Sequence, residues 1–97
     1  MGFFIKTEKF TTKTIELSKE NKKAYINKHK EWISELKDSG IEVISGYLVD
    51  KNRSPGGGGV LIIKASSYEE AIKIVTQDPM IKSNLVTWEL HEWIQAK

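Results

Sequence analysis

The stretch IEVISGYLVDKNRSPGGGGVLIIKASSYEEA, residues 41–71, decides the fold. Ile41 to Val49 reads as a strand with apolar side chains on both alternating faces, Val43 and Tyr47 against Ile44 and Leu48. Asp50 to Gly59, with its Pro55-Gly56-Gly57-Gly58-Gly59 run, is a turn-rich hairpin connection. Val60 to Ile63 is a second buried strand, placing Leu61 and Ile63 opposite to Val60 and Ile62. Ser67 and Glu70 then form a capping box, in which the hydroxyl accepts from the Glu70 N–H while the carboxylate reaches back. Tyr68, Ala71, Ile72 and Val75 share one face of the helix that follows. Pro79 disfavours helical geometry at Asp78, so this helix ends near Gln77.

Working outward, Tyr25, His29, Trp32, Ile33 and Leu36 recur at three- and four-residue steps, predicting a helix from about Ser18 to Ser39. Gly40 stops it, because glycine tolerates the left-handed conformation that closes helices. Gly2 to Lys6 reads as a short opening strand, and Glu8 to Leu17 as a polar connection or irregular helix entry. Leu85 to Ile94 is a closing strand, with Val86, Trp88 and Leu90 alternating against Thr87, Glu89, His91 and Trp93. The order is strand, helix, strand, strand, helix, strand. Right-handed crossovers convert it into a ferredoxin-like α+β fold, βαββαβ, with a four-stranded antiparallel sheet and both helices on one face. Two helices cover one sheet face only, yet the middle strands are apolar on both. The uncovered face predicts a homodimer whose sheets pack together about a two-fold axis.

The 97 residues make one domain, 1–97. The chain is 39% hydrophobic and 29% charged, an ordinary globular balance, and its net charge of +2 does not by itself call for nucleic acid or an anionic membrane. Cysteine is absent, which excludes disulfides, thiol catalysis and thiolate zinc sites. No apolar run reaches the length of a membrane span and no signal peptide is legible, so a cytoplasmic protein is expected.

In the deduced topology the first helix begins, and the second ends, at the same edge of the sheet. That edge receives Asp78, and His29 lies mid-helix on the stripe facing the sheet. A carboxylate accepting from one imidazole nitrogen fixes the tautomer and leaves the other free to take or give a proton. A structural alternative stands beside this: a histidine on an apolar stripe often fills space, and Asp-Pro after a helix often only turns the chain. Asp38 follows His29 by nine residues, about 13–14 Å of helix rise, too far to pair with it, and is at most a rim residue. His91, the other histidine, falls on the open sheet face, and no ligand spacing points to a metal. The glycine run lacks the following helix and Gly-Lys-Ser/Thr of a phosphate loop; it reads as a flexible loop able to act as a lid. The lysines from Lys19 to Lys30 read as a solvated helix face. Residues Val60 to Ala65 are aliphatic apart from Lys64, so the aromatic platform of an RNA-binding sheet is missing and nucleic acid is not an expected partner.

From His29 to the carboxyl end the chain resembles the YCII-related family of small dimeric ferredoxin-like proteins, which includes dehydrochlorinases of chloroaromatic breakdown. His29-Lys30-Glu31-Trp32-Ile33-Ser34-Glu35-Leu36 is similar to the family's histidine helix, and Gly40 and Gly46 fall at its two glycines. Ser67 to Ala71 resembles its helix start, Gln77-Asp78-Pro79-Met80-Ile81 its aspartate-proline motif, and Glu89 to Trp93 its closing strand. The resemblance implies a dimeric α+β barrel with an active site centred on His29 and Asp78. Tyr47 replaces a common proline at the pocket rim, Met80 a common aromatic, and Asn84 a glycine; Lys22 and Ile26 stand where arginines often precede the histidine.

The resulting expectation is a small cofactor-independent lyase or isomerase, with His29 as acid or base and Asp78 orienting it. The candidate substrate-binding residues are Trp32, Gly46, Tyr47, Pro79 and Met80. No metal or other cofactor is expected; the expected partners are a small-molecule ligand and a second copy of the chain. The alternative is a non-catalytic dimeric module that binds a small metabolite. A weaker one is a purely structural pair, with function residing in a partner.

Overall fold

A computed structural model describes residues 1–96. Its elements are β1 (Gly2–Phe10), α1 (Thr12–Ile15), α2 (Lys19–Asp38), β2 (Val43–Val49), β3 (Pro55–Ala65), α3 (Tyr68–Val75), α4 (Pro79–Lys82) and β4 (Val86–Trp93). The four strands form one antiparallel sheet in the order β2-β3-β1-β4, the ferredoxin-like arrangement.

The long helix α2 is bounded as its sequence dictates. Ser18 accepts from the Asn21 N–H at its start. At its end Gly40 takes φ +90°, the Gly40 N–H donates to the Lys37 carbonyl and the Ile41 N–H to the Leu36 carbonyl. These two bonds are the paired closure expected around a left-handed residue. Asn84 closes α4 in the same way at φ +55°, with the Leu85 N–H donating to the Met80 carbonyl. Helix α3 starts on Ser67, whose hydroxyl accepts from the Glu70 N–H at 3.1 Å. The return arm differs from expectation: the Glu70 carboxylate binds the Ser66 N–H and hydroxyl, at 3.1 and 2.7 Å, rather than the Ser67 backbone.

Two boundaries differ more widely. Strand β1 runs four residues past Lys6, because its polar end is paired on both sides, Glu8 opposite both Gly59 and Trp88. The glycine run is strand rather than loop. A Cβ on Gly57 would sit 2.7 Å from that of Leu48, and one on Gly58, at φ +88°, would collide with the Glu8 carbonyl oxygen. Glycine is there because neighbouring strands pass too close for a side chain.

The period-2 alternation sorts the sheet into two faces. Phe4, Lys6 and Glu8 of β1 share the helix-covered face with Val43, Leu61, Ile63 and Leu90. Phe4, Val43, Leu61 and Ile63 are buried there against Trp32 and Ile33 of α2 and Ala71 and Val75 of α3. The other face carries Phe3, Ile5, Ile44, Val60, Ile62 and Trp93 without a covering element, and Ile44 is 70% exposed. No helix among the described residues is long and apolar enough to cross a membrane.

Candidate active site

Asp78 is placed by the proline that follows it. Pro79 occupies the first turn of α4, where a missing N–H costs nothing, and Asp78 caps that helix by accepting from the Met80 N–H at 2.9 Å. The same oxygen, Oδ1, lies 3.0 Å from His29 Nδ1. The second oxygen, Oδ2, accepts from Lys6 Nζ at 2.8 Å, and Lys6 Nζ also meets Glu8 Oε1 at 2.9 Å. Lys6 and Asp78 have no solvent exposure at all, and no buried side-chain nitrogen or oxygen among the described residues lacks a partner. Burial by itself pushes the Asp78 carboxyl pKa up. The His29 hydrogen bond and the Lys6 charge outweigh it, and the carboxyl titrates below its ordinary value.

An ionised carboxylate only accepts, so His29 Nδ1 is the donor and Nε2 carries the lone pair of the neutral ring. Nε2 lies 3.3 Å from the Ser45 hydroxyl of β2, which can donate to it. The ring is 18% exposed and leans on Trp32, centroids 5.8 Å apart at 47°. Its open side faces a cleft of about 1000 Å³ between the middle of α2 and the ends of β1, β2 and β3. With the imidazole neutral, Lys6, Glu8 and Asp78 sum to one negative charge. A positive charge on the His29 ring would balance it.

Gly46, Tyr47 and Met80 line this cleft together with His29. Trp32 and Pro79 do not: they border a separate depression beside Lys28, Glu35 and Lys82. Trp32 is drawn into the core, and Pro79 presents the far side of its short helix because its neighbour Met80 takes the inward position. His91 is remote, on the open sheet face opposite Ile5. Lys6, Glu8 and Ser45 escaped the sequence reading. Lys6 could have been found from its spacing: it stands two residues from Phe4, so whichever face buries one buries the other.

A sequence model of the YCII-related domain matches residues 5–94. No curated protein sequence is a significant match. In three dimensions the chain is similar to 5-chloro-2-hydroxyhydroquinone dehydrochlorinase from Burkholderia phenoliruptrix AC1100, solved in complex with 2,5-dihydroxybenzoquinone. That TM-score is 0.70 at 20% identity, over 97% of this chain and 95% of the other. It is also similar to the de novo designed protein Ferredog-Diesel, with a TM-score of 0.58 at 16% identity over 94% of this chain and 84% of that one. At these identities the likeness is one of fold.

Proposed function

Since the chain belongs to the YCII-related domain family, we propose that it is a small cofactor-independent enzyme of lyase or isomerase type, working by proton transfer at His29. The observation that carries this reading is the state of the His29 ring. One nitrogen is held by a buried, fully hydrogen-bonded carboxylate, and the other meets the Ser45 hydroxyl on the wall of an open cleft. His29 Nε2 takes a proton from a carbon next to a carbonyl, and the C–H electron pair moves onto the carbonyl oxygen as an enolate. The enolate then expels a leaving group from the adjacent carbon or, where a hydroxyl on the deprotonated carbon or a conjugated double bond makes it an enediolate or dienolate, is reprotonated by the imidazolium at a different carbon. Asp78 stays ionised throughout, holding the ring in place and stabilising the imidazolium, while Lys6 and the Met80 N–H keep the carboxylate from turning away. Gly46, Tyr47 and Met80 are the substrate-contacting wall; Trp32 supports the ring from behind. A fold shared with a small-molecule dehydrochlorinase is in keeping with elimination chemistry. The working unit is a homodimer joined through the open sheet face, which leaves the cleft of each copy on the outside.

The test is carbon-acid exchange in D2O, followed by proton NMR over a panel of small carbonyl compounds. The wild type should catalyse loss of a C–H signal from at least one member. His29→Ala should abolish it and Asp78→Asn should slow it by about 10²–10⁴-fold, both remaining folded. A binding module instead would bind panel members without exchange or product, and equal exchange by wild type and His29→Ala would sink the proposal.

A further inference from the structure

The cleft beyond His29 selects its ligand by two features, an apolar wall and an excess of unpaired positive charge. The wall comes from separate elements: Phe10 ends β1, Ile15 lies in α1, Ile26 and Ile33 in α2, Tyr47 in β2 and Met80 in α4. Phe10, Ile15, Ile26 and Tyr47 are exposed large hydrophobic side chains, 47%, 61%, 36% and 73% accessible. Scattered singly, such residues carry no message; gathered around one concavity next to a polar reactive group, they form the usual lining of a small-molecule site.

The charges are as uneven as the wall. Glu8, on the cleft, is ion-paired with the buried Lys6, and Asp78 behind it is paired with Lys6 and His29. Lys9 and Lys30 line the cleft too, and among the described residues neither has an acidic partner. Lys30 directly follows His29, four residues after Ile26 and three before Ile33, so its stem rises along the same apolar stripe. With the imidazole neutral, the two lysines on the cleft, Lys9 and Lys30, stand against one carboxylate, Glu8, a net charge of +1 along its lining.

We infer that the cleft takes a singly charged organic anion with an apolar body, of the monocarboxylate kind. The body lies along Ile26, Ile33 and Met80, and the anionic head reaches Lys30 and Lys9. Glu8 on the same wall weighs against a second negative charge. This names the substrate class of the proton-transfer site, and rests on that reading only for which atom faces His29.

The isoleucines make the test direct, since three of them line the cleft and Ile5, Ile44 and Ile62 occupy the opposite sheet face. Methyl-labelled isoleucine NMR at pH 7 would follow titration with hexanoate, hexan-1-ol and hexylammonium, which share one body and differ in charge. Hexanoate should shift the Ile26 and Ile33 methyls saturably and leave Ile5 and Ile62 still; hexan-1-ol should bind more weakly, and hexylammonium should not saturate. The Lys9→Gln/Lys30→Gln double variant should weaken hexanoate by about fivefold. Equal binding of all three probes, no binding by hexanoate, or shifts confined to Ile5 and Ile62 would each overturn the inference. If hexanoate binds as described while no panel member exchanges in a His29-dependent way, proton transfer falls and the ligand class stands. Exchange confined to neutral or cationic compounds has the reverse meaning.

Discussion

Lys6 and Asp78 meet at 2.8 Å with both side chains out of contact with solvent, which makes the pair costly to break from one side. Lys6→Met leaves Glu8 and Asp78 as neighbouring carboxylates with only His29 to answer them. Loss of one partner of a buried pair costs about 3–5 kcal/mol, and urea unfolding of this variant should show a loss of that order. Asp78 also links stability to pH. Its folded carboxyl titrates below the ordinary value of 3.8, so the folded state binds that proton less readily than the unfolded chain. The stabilisation is therefore present above the ordinary value and disappears as pH falls through the lowered folded one. In urea titrations taken from pH 6 down to pH 2, wild type should lose stability faster than Asp78→Asn; parallel curves would show that Asp78 carries no linkage. His29 and Asp78 were both legible in the sequence, since a helix stripe and an Asp-Pro stop are local patterns. Lys6 was legible only as a residue sharing the face of Phe4, two positions on, and Ser45 not at all. Nothing in a strand's own residues says which face the helices will take, and Phe3-Phe4 fits either choice.

At the scale of elements, the boundaries that local chemistry controls were readable and those set by neighbouring strands were not. Ser18, Gly40 and Ser67 act within their own helices, and they stand where the pattern placed them. The Pro55 to Gly59 run has the composition of a loop, but pairing makes it strand: Pro55 stands opposite Val49, and Gly59 opposite both Tyr47 and the distant Glu8. Two glycines at positive φ separate these causes. Gly40 has open space around its missing side chain, whereas a Cβ on Gly58 would strike the Glu8 carbonyl. Gly40→Ala should therefore cost about 1–2 kcal/mol, the price of the left-handed conformation alone. Gly58→Ala adds a backbone clash between paired strands and should cost about 3 kcal/mol or more, with the displaced Glu8 loosening its contact with Lys6. Denaturant midpoints for the two variants, side by side, decide it: equal losses would mean that the strands move apart freely.

For the whole molecule, element order sufficed to reach the topology, because few antiparallel arrangements satisfy two right-handed crossovers. It also leaves a face to account for. Ile44 stands opposite Ile62, Ile62 opposite Ile5, and Ile5 opposite His91, a row that crosses all four strands and ends on a titratable ring. Phe3 and Trp93 form a second pair beside it. A sheet face of this kind, open to water, is larger than the scattered apolar exposure of ordinary surfaces, and a second copy placed about a two-fold axis would cover it with the same row reversed. None of these six residues lines the cleft, so association through the row and ligand binding can be tested separately. Ile62 is the residue to change: it sits on a central strand and is partly exposed in the single chain, so a charge there should spare the fold. Sedimentation should give the mass of two 11.1 kDa chains for wild type and of one for Ile62→Lys, with unchanged circular dichroism and unchanged hexanoate shifts at Ile26. A wild type that stays monomeric at every concentration removes the dimer without touching the cleft. An Ile62→Lys variant that remains dimeric moves the interface to another surface, and the row across the sheet then needs a different cover.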